Sequence, residues 1–127
     1  MQYLFDSNIL IYQLNGSLNE RGNTFLEDGL VGEGAYSIVS KIELLGFQQP
    51  KLAEAQAREL LASLIEISLS LEVAEQAIKI RKAHKIKLPD AIVAATALVD
   101  GLRLVTRNIR DFTQIDGLLM VNPYEVP

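Results

Sequence analysis

Short apolar runs alternate along this chain with longer stretches whose apolar residues recur at helical spacing. Met1 to Phe5 closes on Tyr3, Leu4 and Phe5 and reads as a strand. Ser7 to Leu14 reads as a helix that stops near Asn15-Gly16. A second short helix is expected over Asn23 to Leu30, then a loop through "GLVGEG" and a very short strand at Ala35-Tyr36. "IVSKIELLGF" reads as a helix stopping near Gly46, and Pro50 opens the amphipathic helix "KLAEAQARELLASL". Ile65 to Leu69 alternates apolar and polar residues, a strand pattern, and "LEVAEQAIKIRKAHK" returns to helix. Pro89 suits a first helical position, "DAIVAATALVD" follows, and Gly101 marks the stop. "LRLVT" and "LLMV" read as strands, with "RNIRDF" a turn or short helical segment between them.

Strands alternating with helices predict an α/β fold with three layers: a short, mostly parallel central sheet of about five strands flanked by helices. Sites in such sheets form outside the carboxyl ends of the strands. Asp6 directly follows the first strand, and Thr106 to Asp111 directly follows "LRLV". Residues far apart in sequence are therefore expected on one edge.

The 127 residues suffice for one domain, taken as 1–127. No apolar run is long enough to span a membrane, and no basic segment precedes a signal-like stretch, so a cytoplasmic protein is expected. Cysteine is absent, which removes disulfides, thiolate metal sites and cysteine nucleophiles together. His84 is the single histidine, so a Ser-His-Asp triad would have to use it. The formal net charge of −4 argues against a broad basic field for nucleic acid. It leaves open a local site where bound cations invert the sign of clustered acids.

Each candidate acid also has a structural reading. Asp6 suits a helix N-cap. Asp90 lies in a first helical turn, where negative charge favours the macrodipole, yet its helix is apolar or small nearly all round. Glu43 would complete a capping box if Ser40 were the N-cap. The stripe Ile38, Ile42, Leu45 begins before Ser40, which favours Ser37 as the cap and leaves Glu43 free. Asp111 and Asn108 both suit Asx turns. Convergence on one edge changes the balance. Crowded carboxylates repel unless a cation intervenes, and all-oxygen donors select Mg²⁺ or Mn²⁺. Such an ion suits phosphodiester hydrolysis.

The motifs resemble a known family. "LFDSNILIY" is similar to the first motif of PIN-domain proteins, "SIVSKIELLGF" to the second, and "LPDAIVAATALVDGLRLVTRNIRDF" to the rest. "LMVNPYE" resembles the family's usual ending, so the likeness spans nearly the whole chain. The branch it looks most like is the VapC-like toxins of type II toxin–antitoxin pairs. That resemblance implies a Mg²⁺- (or Mn²⁺-) dependent endoribonuclease, a homodimer, and a cognate antitoxin protein as partner. It implies Asp6, Glu43, Asp90 and Asp111 as catalytic and metal-binding residues, supported by Asn8, Thr106 and Asn108. Ser7 stands where the branch more often has Thr and keeps the hydroxyl. "LLGFQQ" lacks the basic residue often found after the Glu-Leu pair.

Competing readings are weaker. A haloacid-dehalogenase-like phosphatase needs a second Asp where this chain has Asn8. Gly29, Gly32 and Gly34 do not form a dinucleotide fingerprint and follow no strand. A catalytically silent PIN-like module acting by assembly is the non-enzymatic alternative. Arg81, Lys82, Lys85 and Lys87 form a basic cluster that suits a solvated face or a phosphate grip. Apolar arcs on "KLAEAQARELLASL" and "AIVAATALV" exceed what a thin sheet covers, and a two-fold dimer is the expectation drawn from them.

Overall fold

The computed structural model describes residues 2–29 and 34–125. Five strands lie among them: β1 (Tyr3–Phe5), β2 (Gly34–Ser37), β3 (Ile65–Ile67), β4 (Arg103–Val105) and β5 (Met120–Val121). Seven helices alternate with them: α1 (Ser7–Asn15), α2 (Glu20–Gly29), α3 (Ile38–Leu45), α4 (Lys51–Ala62), α5 (Leu71–Ala83), α6 (Leu88–Asp100) and α7 (Ile109–Phe112). The strands form one sheet in the order β3-β2-β1-β4-β5, and every pairing is parallel. The three-layer α/β expectation holds.

Side-chain alternation splits the core between two faces. Leu4, Ala35 and Leu104 sit in register across β1, β2 and β4 and face the core built by α5 and α6. Their neighbours Phe5, Tyr36 and Val105 face the opposite core, with Ile9, Leu10, Leu26, Leu44 and Leu61. A period of two allows three-residue strands to feed both cores.

Most helix boundaries follow the sequence pattern, with physical reasons where they differ. The second helix begins at Glu20 rather than Asn23, because Asn19 Oδ1 accepts from the Gly22 N–H at 2.7 Å and caps it. Pro89 is the second residue of α6, since Lys87 is the N-cap and Leu88 the first helical residue. The third strand ends at Ile67, short of Leu69. Gly16 and Gly101 end α1 and α6 in the left-handed region, at φ 75° and 66°. The loop expected through "GLVGEG" falls mostly outside the described residues, and so does the terminal Leu30 of the expected second helix.

The apolar arc of α6 has a use inside the protomer. Ala91 to Ala97 are all buried, against α5, α3 and the sheet. Leu98 and Val99, at the end of this arc, are only half-buried.

Candidate active site

The chain runs outward through β2 and β3, then returns to place β4 on the other side of β1. The strand order therefore reverses at β1 and β4, the switch point where open parallel sheets form crevices. Asp6 leaves the carboxyl end of β1 there, and Thr106 leaves the end of β4 beside it. Asp6 N–H donates to Val105 O at 3.0 Å, and Thr106 N–H to Val121 O at 3.0 Å, so both backbones are fixed.

Asp6 occupies the N-cap position of α1, yet its side chain makes no cap hydrogen bond. Instead Thr106 Oγ1 donates to Asp6 Oδ2 at 2.9 Å. The same Thr106 Oγ1 accepts from Asn108 N–H at 3.0 Å, and Asn108 Nδ2 donates to Asp111 Oδ2. The turn after β4 thus connects two of the candidate acids through Thr106 and Asn108.

Ser37 caps α3, accepting from Val39 N–H at 3.2 Å, as the apolar stripe indicates. Glu43 is consequently free of the capping box. Ser7 Oγ lies 2.6 Å from Glu43 Oε1 and 2.7 Å from Ser40 Oγ. A hydroxyl has one proton and a carboxylate only accepts, so Ser7 donates to Glu43 and accepts from Ser40. Ser40 is fully buried, and sequence reasoning considered it only as a rival cap. The signal for its role was the spacing: residues three apart share a helix face, so Ser40 and Glu43 look the same way.

Charge completes the geometry. Burial, first, pushes the Asp6 carboxyl up to about 6 from 3.8. The Thr106 hydroxyl and the Ser7 backbone N–H oppose that rise, while the charges of Asp90 and Glu43 add to it. Asp90, at the head of α6, is also raised, by burial and then by Glu43 and Asp111, against a weaker pull from Lys87. Asp6, Glu43 and Asp90 therefore stand within electrostatic reach of one another, with Asp111 joined to them through Asp90. Asn8 is exposed on α1 and, among the described residues, makes no side-chain hydrogen bond to any of these acids.

The donor set is all oxygen and fits a hard divalent cation. As they stand, no three acidic or histidine side chains among the described residues are near enough to hold one ion. Glu43 is engaged with Ser7 and Asp111 with Asn108.

Three comparisons place this architecture. The family model described as PIN domain matches residues 3–118. A toxin–antitoxin complex from Klebsiella pneumoniae contains a chain 34% identical, with TM-score 0.80, covering 98% of this chain and 100% of that one. VapBC2 from Rickettsia felis, bound to a promoter DNA fragment, matches at 23% identity and TM-score 0.84, over 96% of this chain and 98% of that one. FitAcB from Neisseria gonorrhoeae matches at 24% and TM-score 0.80, over 98% and 100%. No curated protein matches. The resemblance read from the motifs therefore holds over nearly the full length. The chain belongs to the PIN-domain family.

Proposed function

We propose that the chain is a divalent-metal-dependent endoribonuclease, acting in the cytoplasm as the toxin of a type II toxin–antitoxin pair. The observation that carries this reading is Asp6. It is a buried carboxylate at the sheet's switch point, within reach of two further acids and hydrogen-bonded by the Thr106 hydroxyl. An arrangement of this kind is unfavourable to folding and calls for a positive ligand. Similarity to the Klebsiella pneumoniae complex supports the toxin assignment and an antitoxin protein as partner.

Asp6, Glu43, Asp90 and Asp111 would hold Mg²⁺ or Mn²⁺. Bound there, the ion supplies an acidified water and charge neutralisation at a phosphodiester. The chain's own residues do the rest. Thr106 orients Asp6 by donating to its Oδ2. Ser7, fed by Ser40, orients Glu43. Asn108 holds Asp111 and keeps α7 aligned with the site.

A silent module acting by assembly is favoured by one observation, the failure of three acids to converge on a point. The buried Asp6 and the likeness to a toxin–antitoxin complex weigh the other way, so the nuclease reading is preferred. The test is cleavage of unpaired or looped RNA, the shape a compact site can reach. Cleavage is expected with Mg²⁺ or Mn²⁺ and not with EDTA. Full cleavage in EDTA, or none with either ion, defeats the reading.

A further inference from the structure

The acidic edge does not end at the acids. A cleft of about 370 Å³ opens against Asp90 and Asp111, and Lys85, Lys87 and Arg110 line its other walls with His84. The first two cations come from the α5–α6 connection and the third from α7. Among the described residues the salt bridges are Lys41–Glu66 and Arg58–Glu54, so these three cations are not neutralised in that way. Arg107, by contrast, is stacked on the Tyr124 ring at 4.2 Å. A second shallow cleft shares His84 and Lys85 with the first and continues to Arg81 and Lys82 at the end of α5.

The result is a continuous basic track leading away from an acidic site, in a chain whose net charge is −4. A single phosphate would need only one such pocket. Two joined clefts with cations spaced along them suit a polymer carrying a charge at every unit. Building on the nuclease reading above, we infer that this track is a backbone subsite. It grips successive phosphates of the single-stranded RNA flanking the scissile bond, through Lys85, Lys87 and Arg110 first and Arg81 and Lys82 beyond. Gln114, also in the first cleft, offers a neutral hydrogen-bonding group beside them.

The test uses an Asp6→Asn background, in which cleavage should be slowed enough to read binding, and a fluorescein-labelled unstructured RNA of about 20 nucleotides read by anisotropy across a salt series. Lys85→Ala/Lys87→Ala/Arg110→Ala should lower the slope of log K against log salt by about 2, at roughly 0.7 per lost phosphate contact on a single strand. Affinity near 0.1 M salt should fall about tenfold or more. A control triple, Arg21→Ala/Lys51→Ala/Arg103→Ala, removes the same charge from exposed positions elsewhere and should leave the slope near that of the background. All six side chains are exposed, so each triple should melt close to its parent. Equal losses in both triples would mean a global charge effect, and no loss in either would leave the track to an acidic protein partner; both results overturn the inference. If the wild type neither cuts nor binds RNA, the nuclease reading falls with it. If it does both while the first triple matches its background, only the track is wrong.

Discussion

Two carboxylates at the edge of this sheet have opposite fates. Glu66 on β3 is paired: Lys41 Nζ donates to its Oε1 at 3.0 Å and the Tyr36 hydroxyl at 2.9 Å. Its carboxyl is held below the ordinary range, by Lys41 first and Tyr36 next. Asp6 on the end of β1 is buried and has only hydroxyl and amide partners, and its carboxyl is pushed up. Glu66 lies on β3 and Asp6 just past the end of β1, in one parallel sheet. The chain can place a lysine beside a carboxylate where that serves the fold, and at Asp6 it does not. That difference in partners is what the metal-binding role proposed for Asp6 builds on.

The largest expected effect is on activity. Asp6→Asn should lower RNA cleavage by about 10²–10³-fold or more, as loss of a group that stabilises developing charge does. Glu66→Gln should leave the rate unchanged. Equal losses would erase the contrast.

Next comes pH. The folded Asp6 carboxyl titrates near 6 and the unfolded one near 3.8. The folded chain therefore binds more protons in that window, and stability falls as pH rises through it. At about 1.36 kcal/mol per unit, the ionised Asp6 costs on the order of 3 kcal/mol above pH 6. In EDTA, Asp6→Asn should thus unfold at higher urea than wild type near neutral pH, with the gap closing below about pH 4. Glu66 has the opposite sign, since its depressed carboxyl adds stability that is lost as pH falls. A gap for Asp6→Asn that widens in acid would contradict the burial argument.

Metal should act on the same quantity. Mg²⁺ binding to the folded state raises the melting temperature by mass action. The shift should be smaller in Asp90→Asn than in wild type. Equal shifts would make Asp90 a helix-start residue alone, worth roughly 0.3–1 kcal/mol through the macrodipole.

The smallest effects separate the serines of α3. Ser37→Ala removes the cap and should cost about 1 kcal/mol of stability with cleavage retained. Ser40→Ala should cost a similar amount, about 1 kcal/mol, and also slow cleavage, because Ser7 loses its donor. Glu43→Gln should slow cleavage with little change in stability. Retained activity in Ser40→Ala would remove the relay from the site.

Much of this was legible in the sequence, for physical reasons that differ by element. Asp6 after β1, Gly16 after α1, and Pro89 and Gly101 around α6 and before β4 located those elements, because local chemistry sets their boundaries. The reversal of strand order at β1 was not legible, since pairing across a hundred residues leaves no local trace. The apolar arc of α6 was visible, but its cover was not: periodicity shows that a face is buried and not which neighbour buries it. Asp6 and Asp111 stood out by following strands, whereas Glu43 and Asp90 lie in helices and were joined to them by the likeness of their motifs to PIN-domain proteins. The hydroxyl relay from Ser40 through Ser7 escaped because hydroxyls are small and common, and their meaning depends on the packing of α1 on α3. Asn19 went unseen as a cap because α2 carries few apolar residues to announce its start.

The bond from Thr106 to Asp6 spans 100 positions of the chain. It ties the site to the timetable of synthesis. Ribosomes add about 5–20 residues per second, so β1 waits roughly 5–20 s for the strand that completes its far side. During that interval Asp6 has neither Thr106 to orient it nor Asp111 nearby. On the nuclease reading proposed above, a nascent chain therefore lacks a complete site until Thr106 and Asp111 have been made.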